Sequence, residues 1–150
     1  MTYQIIYSSE AATPMQIVDL EEILEQARSK NAKRGITGAL VYVDGVFLQI
    51  LEGDAGVVLG LMAKITRDVR HETVTVLKQG EIPAAIFNDW NMAYVSATAE
   101  QVARWAGLNG TTAIPDVLID MRNDPFKATQ VAQSILSVLA NEPNIGLKAE

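Results

Sequence analysis

The chain has no cysteine, and that one absence excludes a disulfide framework, a thiolate metal site and any photochemistry that runs through a cysteine adduct. It has a single histidine, His71, which cannot build a zinc site alone, so no metal is expected. Basic residues are in deficit, 12 against 18 acidic ones. The resulting net charge of -6, with no Lys/Arg run, argues against a surface that tracks nucleic-acid phosphates. Long apolar runs are missing too: no stretch approaches the roughly 20 residues that cross a bilayer. The opening MTYQIIYSS has no basic segment leading into an apolar one, so a cytoplasmic protein without a membrane segment is expected. Any redox chemistry must then come from a bound cofactor working with Tyr or Trp.

What is present fits one domain with a helical tail, since 150 residues suffice to bury a sizeable core. YQIIYSS alternates as a strand, with Tyr3, Ile5, Tyr7 and Ser9 on one face. Thr13-Pro14 signals a helix with Thr at the N-cap and Pro at the first position. Its stripe is Ile17, Leu20, Ile23, Leu24 and Ala27, with Asn31 one turn on. GITGALVY and VFLQILEG flank Asp44-Gly45 and read as a hairpin, in which Gln49 shares a face with Phe47 and Leu51. A second helix follows Gly53-Asp54, with Val58, Leu61, Met62, Ile65 and Val69 at helical spacing up to Arg70-His71. TVTVLKQGEI and NMAYVSA supply two more strands, joined by a connection holding Pro83, Phe87 and Trp90.

This order predicts an α+β ferredoxin-like sandwich: a five-stranded mixed sheet with two helices on one face, over residues 1–97. Residues 98–150 read as a C-terminal two-helix cap. AEQVARWAGL is a short helix, GTTAIPDV a loop, and DPFKATQVAQSILSVLA a helix capped by Asp124 with Pro125 at its start. The stripe Phe126, Thr129, Ala132, Leu136 and Leu139 needs a surface, either the second face of the sheet or a partner.

Chemistry concentrates at Tyr7, Gln49, Asn31 before RGITG, and the pair Trp90 and Met92. A redox-active phenol beside two carboxamides suits a bound heterocycle whose ring edge is hydrogen-bonded and photoreduced. A Gln between Phe and Leu on an inward face needs partners, at about 1–3 kcal/mol for each group left unmet. Simpler readings stand beside this one. Tyr7 suits a core aromatic, Gln49 could be satisfied by a water or a backbone group, and Asn31 suits a helix end. Lys30, Lys64, Arg70 and His71 suit solvated helix ends, Ile23 and Ile65 ordinary core, Trp90 a strand-start plug and Met92 a gap filler.

Taken together, YQIIYSS, KNAKRGITG, FLQILEG, MAKITRDVRH and FNDWNM occur in an order and at a spacing that resemble the BLUF family, blue-light sensors using FAD, over about residues 3–97. The resemblance implies an isoalloxazine ring between the two helices, gripped by Ile23 and Ile65. Asn31 and Lys30 would meet its polar edge, and Lys64, Asp68, Arg70 and His71 the ribityl chain and phosphates. FAD is the implied cofactor, with FMN or riboflavin as alternatives. It further implies that Tyr7 gives an electron and then a proton to the excited flavin through Gln49. Gln49 is left rotated or tautomerised, and the strand carrying Trp90 and Met92 relays the change without substrate turnover. Ala27 departs from relatives that carry a serine one turn before Asn31.

With no output domain read in the chain, the expected partner is a separate effector protein, such as a cyclic-nucleotide enzyme or a transcriptional regulator, and self-association into a homo-oligomer is expected. Two rivals remain: a flavin-free ferredoxin-like interaction module, and an acylphosphatase-like hydrolase. The hydrolase would want an Arg in the loop after the first strand, and SSEAATP has none.

Overall fold

The computed structural model describes residues 2–69, 71–108 and 113–141, with His71 described in its backbone alone. Along these residues β1 (Thr2–Ala11), α1 (Ile17–Arg34), β2 (Thr37–Val43), β3 (Val46–Gly53), α2 (Ala55–Arg67), β4 (His71–Ile82) and β5 (Ala93–Ser96) follow in the predicted order. The strands lie side by side as β4-β1-β3-β2-β5, antiparallel except for the β2–β5 pair. This is the mixed five-stranded sheet of a ferredoxin-like α+β fold. Each strand-helix-strand unit leaves a gap that a strand of the other unit fills. The interleaving makes Tyr7 of β1 and Gln49 of β3 register partners.

Local chemistry sets the boundaries. Asp44 (φ 50°) and Gly45 (φ 78°) are both left-handed, as a two-residue hairpin of the twist-compatible kind requires. α1 starts later than the Thr13-Pro14 signal suggests, because Gln16 is the N-cap and its N–H donates to Asp19 Oδ2 at 2.9 Å, a reciprocal bond that Thr13 does not make. Ile17 is consequently exposed rather than part of the stripe. Asp54 caps α2 by accepting the Val57 N–H at 3.3 Å. That helix stops at Arg67, where Asp68 turns extended, so Val69 leaves the apolar stripe for solvent and His71 opens β4 instead of ending the helix.

The sheet is covered on both faces. Ile5, Tyr7, Leu40, Phe47 and Leu51 point toward α1 and α2 and join Leu20, Leu24, Val58 and Met62 in one buried cluster. Ile6, Val41, Leu48, Ile50 and Val95 point the other way, into a cluster completed by the C-terminal helices. Period-two alternation in a sheet buried on both faces accounts for near-continuous apolar strands such as VFLQIL.

Among its described residues the tail holds three helices rather than two: α3 (Ala99–Trp105), α4 (Ile114–Asn123) and α5 (Pro125–Asn141). Pro115 makes IPDV look like a loop, yet proline is tolerated in a first helical turn, and Ile114, Val117 and Met121 are buried at helical spacing. The buried stripe of α5 is Ala128, Val131, Ala132, Ile135 and Leu139, so Ala132 and Leu139 face inward as expected and Leu136 packs partly buried against the same cluster, while Phe126 at the start of the expected line is exposed. Trp105 packs at the edge of this second core. Among the described residues no helix is long and apolar enough to cross a membrane.

Candidate functional site

Between α1 and α2, over the face shared by Tyr7 and Gln49, a cleft opens to solvent. Its enclosed volume is about 160 Å³, and the space widens to solvent at the mouth. Ile23 and Ala27 of α1 face Leu61 and Ile65 of α2 across it, Gln49 and Leu51 of β3 lie beneath, and Asn31 stands at one side. Lys30, Arg34, Lys64 and Asp68 line it with charge. Ile23, Lys30, Asn31, Gln49, Lys64, Ile65 and Asp68, read from the sequence as contacts of one ligand, are thus brought to one cavity. Arg70 lies outside the described residues, as does the side chain of His71.

Tyr7 does not line the cleft; it is fully buried behind Gln49. Its hydroxyl donates to Gln49 Oε1, and Gln49 Nε2 donates to the thioether sulfur of Met92 at 3.5 Å. A thioether accepts weakly and cannot donate, so the NH2 group facing Met92 and Oε1 facing the Tyr7 hydroxyl are a complementary arrangement. Burial holds the Tyr7 phenol well above the ordinary phenol range, and the negative charge of Asp68 adds to the shift, so the proton stays on oxygen at neutral pH. Burial raises Tyr94 as well, with Tyr42 adding.

Of the two relay residues expected before β5, Met92 faces Gln49, while Trp90 packs against the cluster on the opposite face. Alternation in an extended segment would put residues 90 and 92 on one side; the turn in which the Trp90 N–H donates to Phe87 O at 3.0 Å precedes the strand and frees Trp90 from its register. The three carbonyls of this segment are all held. Gly38 N–H donates to Trp90 O at 3.0 Å, Asn31 Nδ2 to Asn91 O at 2.8 Å and Arg28 Nε to Met92 O at 2.7 Å. Asn31 is therefore shared between the cleft and the start of β5. Buried almost fully one turn before the end of α1, it is more than a helix-end residue.

Four cleft residues escaped the sequence reading: Gln26, Arg34, Leu51 and Leu61. Helical spacing could have found two, since Gln26 is four residues before Lys30 and Arg34 four after it, on the same side of α1. Ala27 lines the cleft without a hydroxyl to offer.

The donor set fits a flat heterocycle. Branched aliphatic walls can clasp two apolar ring faces, carboxamides at Asn31 and Gln49 can pair with both donors and acceptors on a ring edge, and Lys30, Arg34 and Lys64 at the rim suit an anionic tail.

Comparison with known proteins bears on this cleft. Residues 2–93, more than half of the chain, match the family BLUF, described as sensors of blue-light using FAD. The chain is 38% identical over 104 residues to photoactivated adenylate cyclase subunit alpha of Euglena gracilis, covering 69% of this chain and 10% of that protein. It is 35% identical over 105 residues to subunit beta from the same organism, again 69% of this chain, and it spans only 12% of that relative's length. Among solved structures it resembles the photo-activated state of BlsA, with TM-score 0.79 and 26% identity over 100% of this chain and 99% of that one. It also resembles the dark state of the BLUF protein BlrB, with TM-score 0.73 and 25% identity over 92% of this chain and 97% of that one.

Proposed function

The chain belongs to the BLUF family of blue-light sensors, and on that premise we propose that it binds FAD in the cleft between α1 and α2 and signals by rearranging the hydrogen bonds of Gln49. The observation that carries this reading is the buried chain Tyr7–Gln49–Met92 beneath that cleft. Ile23 and Ile65 would hold the ring faces, Asn31 and Gln49 its polar edge, and Lys30, Arg34, Lys64 and Asp68 the polar tail. Arg70 and His71 remain proposed tail contacts on the family resemblance. A bound flavin supplies blue-light absorption and an acceptor for one electron.

The rest is done by side chains. Tyr7 is the donor: its phenol keeps its proton until it is oxidised, the proton then passes along its existing hydrogen bond to Gln49 Oε1 while Gln49 Nε2 would give one up to the reduced ring, and Tyr7 regains its electron and a proton when the pair recombines. The Gln49 amide can be reversed at little steric cost, because its two ends are similar in size and opposite in hydrogen-bonding sense. Reversal turns Oε1 toward the sulfur of Met92, setting acceptor against acceptor where the NH2 group now donates. Met92 is pushed away, and the segment 90–92 moves against the bonds from Gly38, Asn31 and Arg28. No substrate is consumed in this sequence. The matched relatives are named as adenylate cyclases and the chain spans about a tenth of their length; we propose that its signal is read by an effector outside residues 1–150.

The test is optical. Purified chain should be yellow, and its visible band should move to longer wavelength under blue light and return in the dark. Protein that stays colourless after reconstitution with FAD would refute flavin binding, and yellow protein with an unchanging band would refute the signalling chemistry.

A further inference from the structure

On the opposite face of the sheet from the cleft runs a second polar row that the chemistry above does not use. Glu52 of β3 is fully buried, and every group that reaches its carboxyl oxygens is a donor. Ile86 N–H donates at 3.1 Å, Phe87 N–H at 2.9 Å, Thr37 Oγ1 at 3.2 Å and Gln4 Nε2 at 3.2 Å. Gln4 Oε1 in turn accepts from Lys78 Nζ at 2.7 Å. Lysine can only donate and a carboxylate can only accept, so the amide of Gln4 has one satisfactory orientation and the row has one sense. It crosses β4, β1, β3 and β2 on partners in or near register, Gln4 opposite Glu52 and Thr37 opposite Glu52.

Two of the donors belong to the connection between β4 and β5, and the bonds continue from there. Phe87 O accepts the Trp90 N–H, and Trp90 O accepts the Gly38 N–H, both at 3.0 Å. A carboxylate three residues along β3 from Gln49 thereby fixes the root of the segment that carries Met92.

We propose that Glu52 is a positioning residue that couples β3 to the connection 83–90: it clamps the amides of Ile86 and Phe87 in the dark and loosens them when Gln49 rearranges. The inference rests on the light-sensing reading. Only an acceptor-only side chain can serve. A glutamine in its place would have to turn an NH2 group toward at least one of four donors.

The test uses the flavin-loaded full chain and follows hydrogen exchange of the Ile86 and Phe87 amides in darkness and under blue light, with the absorption band recorded on the same sample. In the wild type both amides should be protected in the dark and should exchange about tenfold faster or more in the light, the factor that goes with losing a hydrogen bond to a charged group. In E52Q the red shift should be unchanged, because the cleft lies on the other face, while both amides exchange fast in light and dark alike. E52D, which keeps the acceptor, should restore part of the difference. A normal red shift with equal exchange at Ile86 and Phe87 in light and dark overturns the coupling alone, and so does a wild-type light–dark difference in E52Q. Absence of any spectral shift in the wild type removes the light-sensing reading and the coupling with it. The wild-type measurement decides the matter even where E52Q does not fold.

Discussion

Replacing Tyr7 by Phe removes a single oxygen, and the structure allows its cost to be worked out. The phenol is fully buried in the cluster beneath α1 and α2, and its hydroxyl donates to Gln49 Oε1. Phe keeps the ring and its packing. Lost are the hydrogen bond, worth a net ~0.5–1.5 kcal/mol, and the donor to Gln49 Oε1, whose desolvation then costs about 1–3 kcal/mol if nothing replaces it. Against these, the variant no longer buries a hydroxyl, a saving of about 1–3 kcal/mol on the scale of protein substitutions. The balance is a loss of about 0.5–1.5 kcal/mol, and at roughly 2–4 °C per kcal/mol for a chain of this size the melting temperature should fall by less than about 6 °C. Tyr7→Phe is therefore expected to fold and to bind flavin.

That separation of stability from chemistry gives the assay its force. Flavin-to-protein ratio, thermal unfolding and the blue-light difference spectrum are measured on the same preparation of wild type and variant. The expected result is an unchanged ratio, a modestly lower melting temperature and no red shift at all. A red shift of ordinary size in Tyr7→Phe would refute the assignment of Tyr7 as donor. A colourless but folded variant would refute the energetic reasoning, since it would mean that the hydroxyl holds the cleft open rather than feeding it.

The remaining predictions concern strain, charge and pH. At Gly38 an added Cβ would lie 1.9 Å from the carbonyl oxygen of Ile50, so Gly38→Ala should split β2 from β3 and cost more than the ~1–3 kcal/mol of ordinary overpacking; a melting temperature within a few degrees of wild type would contradict this. Lys64→Gln and Arg34→Gln should each weaken FAD by about tenfold while leaving riboflavin, which lacks phosphate, nearly unaffected; equal losses for both ligands in a binding titration would argue that these cations do not meet the tail. Because burial raises the Tyr7 phenol above its ordinary value near 10, the folded chain keeps a proton there that the unfolded chain sheds. Tyr7 thus contributes stability in full below about pH 10 and loses it as pH rises further, so above about pH 10 the wild type should lose stability more steeply than Tyr7→Phe; parallel curves in denaturant titrations would count against it.

How much of this could be read from residues alone follows from which interactions are local. The hairpin at Asp44-Gly45 and the apolar periods of α1 and α2 are set by neighbours in the chain, and they appear where the pattern puts them. The cleft was legible for a related reason: Lys30 and Asn31, or Ile65 and Lys64, sit on helix faces whose spacing is fixed, and only the pairing of β1 with β3 had to be supplied. What escaped was decided by contacts distant in sequence. The start of α1 is the local exception, set by the Gln16–Asp19 bond three residues apart, whereas α4 is held as a helix by burial of Ile114, Val117 and Met121, which overrides the warning given by Pro115. Glu52 is the clearest case. A Glu before Gly at a strand end reads as solvated, and nothing nearby announces that the amides of Ile86 and Phe87, 34 and 35 residues on, will cover it.

The two faces of the sheet pose a transmission problem, because the cleft lies on one and the C-terminal helices on the other, with a hydrogen-bonded backbone between them. Central strands are poor carriers: β1 and β3 are paired on both sides, and moving either breaks two ladders. β5 is different. It has four residues, lies at the sheet edge and, among the described residues, pairs with β2 alone, so its local stability should be the lowest in the sheet. Its pleat also joins the two faces, since Met92 and Tyr94 belong to the cleft-side cluster while Ala93 and Val95 belong to the cluster beneath α3, α4 and α5. A displacement of Met92 is therefore delivered within one residue to the opposite core. Only two residues beyond β5, Thr98 starts α3, with its hydroxyl accepting the Gln101 N–H at 3.1 Å and the Gln101 side chain accepting the Thr98 N–H at 2.9 Å. On the proposed reading, a short edge strand rooted at Glu52, preceded by the Met92 that Gln49 contacts and ending in a helix cap, is where a change of one amide's partners at the cleft would become a change in how the tail helices sit.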